Sequence, residues 1–174
     1  ASFLYIHLLP YPVLLKPEEI KEAVGFDLPT FIKKVKEDIG VGPIRLNFDG
    51  DKARAHAHRE GIFCAISLPT RESIKNAMGL DEQSATAKIK AGLIEETCHC
   101  HNHETSHTKE VVGCTIALIE KHLTPEEQEL PYIKDKIEML RRAPELTGEM
   151  VPLPELTSEY HPQQIPTSLA PLEE

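Results

Sequence analysis

Tryptophan is missing from this 174-residue chain, and aromatic residues make up only 5% of it. Base stacking needs such rings, so single-stranded nucleic acid is not an expected partner. A basic surface is lacking too. Nineteen Lys and Arg stand against 28 Asp and Glu, a net charge of −9, whereas phosphate-backbone binding requires clustered cations. No apolar run approaches the roughly 18 residues of a membrane span. The apolar opening, Ser2 to Leu9, has no positive stretch before it and no small-residue cleavage site after it. It is therefore expected to be a first strand and not a secretion signal. Four cysteines are too few for a disulfide scaffold, and their clustering with histidine points to a reduced, cytoplasmic setting. A Gly-rich phosphate loop, a G-x-S-x-G motif and internal repeats are all absent.

At 40% apolar and 27% charged residues, the composition is that of one globular domain with appendages. Its charge is uneven. Every Lys and Arg lies at or before Arg142, while Glu145 to Glu174 carries six Glu and neither Lys nor Arg. From Pro144 onward six prolines alternate with apolar residues such as Leu146, Met150, Val151, Leu156, Tyr160 and Ile165. That mixture suits an extended arm over 144–174, anchored on a second copy of the chain or on another protein, better than a purely solvated linker. Residues 1–143 are then the domain.

Local signals give that domain an α+β character. Pro17 opens a short helix that Gly25 ends. Asp27 caps a second helix, with Leu28, Phe31, Ile32, Val35 and Ile39 on one face and Gly40 at its end. Ile44–Phe48, Lys52–Arg59 and Ile62–Leu68 read as strands separated by Asp49-Gly50 and Glu60-Gly61. Two tight turns make them an antiparallel meander, with Ala57 opposite Cys64 and Ala55 opposite Ile66. Ile44, Leu46, Ala57, Cys64, Ile66 and Leu68 then share a core face, and His56 and His58 share the other with Arg45 and Asn47. Thr70, Asp81, Thr108 and Thr124 each cap a further helix. The helix capped by Asp81 is expected to end near Glu96. The one over 109–123 is expected to be the most buried, and the last to stop before Pro144. The architecture implied is a small antiparallel sheet, the meander over 44–68 plus the N-terminal strand, with helices on one face and the arm beyond.

Chemistry concentrates in Cys98–Cys114, which holds three of the four cysteines and four of the nine histidines. Thiolate and imidazole are donors that borderline divalent metals prefer, zinc first among them. In one arrangement Cys98, Cys100, His103 and His107 enclose an ion from a loop over 98–107. In another, Cys98 and Cys100 alternate away from the histidines and Cys114 joins them, leaving a fourth position to His107 or an outside ligand. In a third the thiols and imidazoles bind nothing. An iron–sulfur cluster is disfavoured, since it needs mainly thiolates and Cys64 belongs to the core face. His56 and His58 form a lesser candidate pair, and Glu60, Glu95, Glu96 and Glu104 are potential bases beside a metal-bound water. Two functional classes follow. One is a non-catalytic homo-oligomer or accessory subunit with a structural or carrier metal. The other is a small metal-dependent hydrolase or lyase, with three protein ligands and the polar sheet face as its pocket.

Overall fold

The computed structural model describes residues 4–8, 11–48, 52–60, 63–104 and 106–147. Five strands form one sheet: β1 (Leu4–Leu8), β2 (Tyr11–Leu15), β3 (Ile44–Phe48), β4 (His56–Glu60) and β5 (Phe63–Leu68), in the order β2-β1-β3-β5-β4. The α+β class holds, but the sheet is mixed. β1 and β5 both run parallel to β3, while β2 pairs antiparallel with β1, and β4 with β5. The expected meander is thereby corrected, because β5 and not β4 lies beside β3. Composition explains the exchange. Cys64 to Leu68 is buried on both faces, as a central strand requires. β4, with His56, His58 and Arg59, is suited to an edge. Lys52 to Ala55 are not in a strand, and the Asp49-Gly50 turn lies outside the described residues.

The expected faces survive a change of register. Ala57 lies opposite Ile66 and Arg59 opposite Cys64, two residues from the expected pairing. A shift of two leaves each side chain on its original face. Ile44, Leu46, Phe48, Ala57, Cys64, Ile66 and Leu68 form the core face, none more than 4% exposed.

Seven helices accompany the sheet among the described residues: α1 (Pro17–Val24), α2 (Leu28–Asp38), α3 (Arg71–Met78), α4 (Glu82–Asn102), α5 (Lys109–His122), α6 (Pro125–Gln128) and α7 (Pro131–Thr147). The capping residues act as their types dictate. Asp27, Thr70, Asp81, Thr108 and Thr124 each accept a hydrogen bond from the backbone N–H three residues on. Gly25 is left-handed at φ +90°, and a Cβ there would collide with Thr86. Gly40 lacks the left-handed geometry expected of it, since α2 ends instead on an extended Ile39. α7 continues past Pro144 to Thr147. The rest of the arm lies outside the described residues.

The most buried helix is α4, not α5. Twelve of the 21 residues of α4 are buried against five of the 14 in α5. α4 packs on β4 and β5 on one side and meets α5 and α7 on the others. Buried nearly all round, it has little amphipathic signature. Gly92 permits the close approach to the segment that leads into β4, because a Cβ there would stand 3.1 Å from that of Ala55.

α4 also runs on through Cys98 to Asn102, so the expected loop over 98–107 is helical in its first half. Successive side chains of its last turns are held by different elements. The helix stops at His103, which is left-handed at φ +52°, with the Glu104 N–H donating back to the His99 carbonyl at 3.2 Å.

Candidate metal centre

Glu95 and His99 lie four residues apart on α4 and so project from one face. The turn at His103 reverses the chain, and the Glu104 carboxylate steadies it by accepting from the Ser106 N–H at 3.1 Å and its hydroxyl at 2.9 Å. His107, just ahead of the Thr108 cap of α5, is returned to the same face. Its Nε2 donates to Glu95 Oε2 at 2.9 Å, and its ring stands edge-on to His99 with centroids 5.1 Å apart. One donor atom from each of Glu95, His99 and His107 lies within 4.8 Å of the others, so the three can hold a metal ion.

The surroundings suit that chemistry. His99 is 5% exposed. Its Nδ1–H donates to the Glu104 carbonyl at 2.7 Å, and a carbonyl can only accept, so Nε2 is left with a lone pair. Backbone anchoring of the second ring nitrogen is what metal-binding imidazoles ordinarily have. Burial pushes the His99 pKa below its usual value, favouring the neutral form that ligates. Burial also acts to raise the Glu95 pKa, but Lys136 and His107 outweigh it and hold the carboxyl well below the usual range. Lys136, from α7, donates to Glu95 Oε1 at 2.9 Å. Burial acts to lower its pKa, and the Glu95 carboxylate prevails and raises it.

This cluster lines a cavity of about 440 Å³ between α4, α7 and the start of β4. From α4 the stripe Lys88, Gly92, Glu95 and His99 faces it, along with Glu96; α7 contributes Tyr132, Lys136, Met139 and Leu140. Cavities of this size hold small molecules. His56 lines it as well.

The five ligands expected from the sequence do not come together as one set, although Cys98 and Cys114 meet. Cys100 is joined to Cys64 of β5 in a disulfide, with Cα atoms 6.1 Å apart. Cys98 donates its thiol hydrogen to Cys114 across the α4–α5 contact. That bond, with burial, raises the Cys98 pKa; at Cys114 the same bond lowers the pKa, against the effect of burial. His103 is exposed and meets the Arg59 guanidinium. His107 is the member of the five that belongs to the three-donor cluster. Of the other histidines in the stretch, His101 donates to the Gly40 carbonyl at 2.9 Å, and His99 is a donor in the cluster.

From sequence Glu95 reads only as a potential base, and nothing singles out Lys136. A signal for Glu95 existed. Its spacing to His99 is one helical turn, visible once the Asp81-capped helix is carried past Glu96. Comparison with family models, with curated proteins and with solved structures finds no match to this chain.

Proposed function

We propose that the protein is a metal-dependent enzyme, of hydrolase or lyase type, that uses a divalent transition metal, zinc first, bound by Glu95, His99 and His107. The observation that carries this reading is that the three donors lie within 4.8 Å of one another on the wall of a small-molecule-sized cavity. Two imidazoles and one carboxylate are a donor set of catalytic zinc, and three protein ligands leave a position for water. The same set also accepts iron(II), so the metal itself is part of what must be measured. A bound water there would be acidified and become a nucleophile near neutral pH. Glu96 also lines the cavity and is the carboxylate assigned here to take a proton from it.

The structural or carrier reading needs a closed shell. With Cys100 in a disulfide and His103 at the surface, the open three-donor cluster has more in its favour. Metal content after dialysis against zinc, iron(II), cobalt(II) and manganese(II), followed by absorption spectroscopy at the metal edge, tests the proposal. One equivalent of metal with nitrogen and oxygen ligands and an exchangeable water is expected. A sulfur-rich shell, or less than a tenth of an equivalent of every metal, would overturn it.

A further inference from the structure

The protein carries an excess of negative charge, yet the cations lining this cavity outnumber the carboxylates. Arg54, Lys88 and Lys136 face it against Glu95 and Glu96. Two of these cations are placed where an incoming anion would meet them. The Lys88 ammonium donates to the neutral Tyr132 hydroxyl at 2.8 Å and has no carboxylate partner among the described residues. Lys136, one helical turn beyond Tyr132 on α7, has Glu95 as its counter-ion at 2.9 Å. Lys88–Tyr132 and Glu95–Lys136 are thus successive rungs between α4 and α7, both bordering the same space.

Metal binding changes the charge balance of the upper rung. The Glu95 carboxylate that now serves Lys136 and His107 becomes a ligand to a divalent cation. The metal adds two positive charges, and Lys136, only 13% exposed at its side chain, loses its hydrogen-bonded counter-ion and keeps Glu96 as the nearby carboxylate. A buried excess of that size is costly unless an anion enters. Apart from His56, the rest of the wall is apolar and includes Ala55, Ala57, Pro69, Leu140 and Met139, the last 67% exposed and so at the border with solvent.

We infer that the metal-loaded cavity takes a small amphipathic anion as substrate, its carboxylate or phosphate group held by Lys136 beside the metal and its apolar body against the Met139–Leu140 wall. This rests on the metal-site reading above and adds to it the substrate class and the residue that selects it. Lys136 becomes the specificity-determining side chain. Its ammonium is the charge left over when Glu95 turns to the metal, and Lys88 gives the anion a second cation along the α4 stripe.

Calorimetric titration of metal-loaded and metal-free protein with acetate, inorganic phosphate, octanoate, octyl phosphate and neutral octanamide tests this, with metal content measured on every sample. Octanoate or octyl phosphate is expected to bind the loaded protein about tenfold or more tighter than the metal-free protein, and Lys136→Gln to lose about that factor while keeping its metal. Which of the two binds better assigns the head group. Lys136→Arg should restore binding, and Lys88→Gln, at a part-exposed position, gives an independent reduction if Lys136→Gln folds poorly. Normal metal content with no anion binding, with octanamide equal to octanoate, or with equal affinity in the metal-free protein would overturn the inference and leave the metal site standing. Absence of metal from every sample would instead overturn the proposed function beneath it.

Discussion

His99 donates its Nδ1–H to the backbone carbonyl of Glu104 at 2.7 Å, which fixes its tautomer and leaves Nε2 with its lone pair. If this is a metal ligand held ready, His99→Ala should weaken metal binding by about a hundredfold or more, exceeding the 10–100-fold cost usual for an outer-shell partner. His107→Ala should behave alike. His103→Ala should leave metal affinity unchanged, because that ring lies at the surface against Arg59. Competition with a chromophoric chelator measures all three. Equal losses from His103→Ala and His99→Ala would return the site to the Cys98–His107 stretch.

Lys136 and a metal compete for one carboxylate. Glu95→Leu alone strands the Lys136 ammonium, and breaking a pair this buried should destabilise the protein by about 3 kcal/mol. Replacing both residues, as in Glu95→Leu with Lys136→Met, should cost much less than the sum of the single changes. Urea denaturation of the four proteins closes the cycle, and strict additivity would deny the coupling. Lys136→Met should also tighten metal binding, because the competing cation is gone. A weaker site in that variant would show that Lys136 supports the metal.

The difference between what was legible in sequence and what was not follows the range of the forces involved. Asp27, Thr70, Asp81, Thr108 and Thr124 were readable as caps because a cap is satisfied within three residues. The core face of the sheet was readable because strand alternation survives a register error of two. The place of β5 beside β3 was not, since parallel pairing joins segments across a long connection that no turn residue announces. The cluster was half legible. Its Cys/His richness drew attention to the right stretch, but His99 and Cys100 alternate like an extended chain. They are helical because the Cys64–Cys100 disulfide, the Cys98–Cys114 contact and the cavity hold three sides of α4. Glu95 and Lys136 are contributed by packing of α4 on α7, which spacing along the chain does not encode.

Stability should rise with pH through the acid range and fall again at high pH. His99 has its pKa lowered by burial from 6.5, so below about that value the unfolded chain binds a proton that the folded protein resists. Glu95, held below its ordinary 4.5, acts in the same sense: its contribution is complete above that value and is lost as pH falls further. Lys136, raised above 10.5, contributes below that value and loses its contribution as pH climbs through the raised one. Wyman linkage then gives a positive slope of stability just below pH 6.5 from His99, a further one below pH 4.5 from Glu95, and a plateau above 6.5. Urea midpoints from pH 4.5 to 8 check this. His99→Phe should flatten the upper part of the slope, and an unchanged slope in that variant would assign it to another group.

The disulfide sets a final expectation. Cys64 of β5 and Cys100 of α4 are separated by 36 positions, and closing a loop of that length restricts the unfolded chain by about 4 kcal/mol on chain-entropy grounds. Cys98 and Cys114 are free thiols. Alkylation of the denatured, unreduced protein should therefore label two cysteines, and peptide mapping should place the labels on Cys98 and Cys114. Cys64→Ala with Cys100→Ala should lower the melting temperature, and a thiol reductant should do the same to the native protein but not to that variant. Four labelled cysteines would mean that Cys64 and Cys100 meet as thiols. The bond joins an interior strand, β5, to the last turns of the helix that carries Glu95 and His99. Reduction should therefore also loosen the metal site, which metal retention during reductant treatment would read directly.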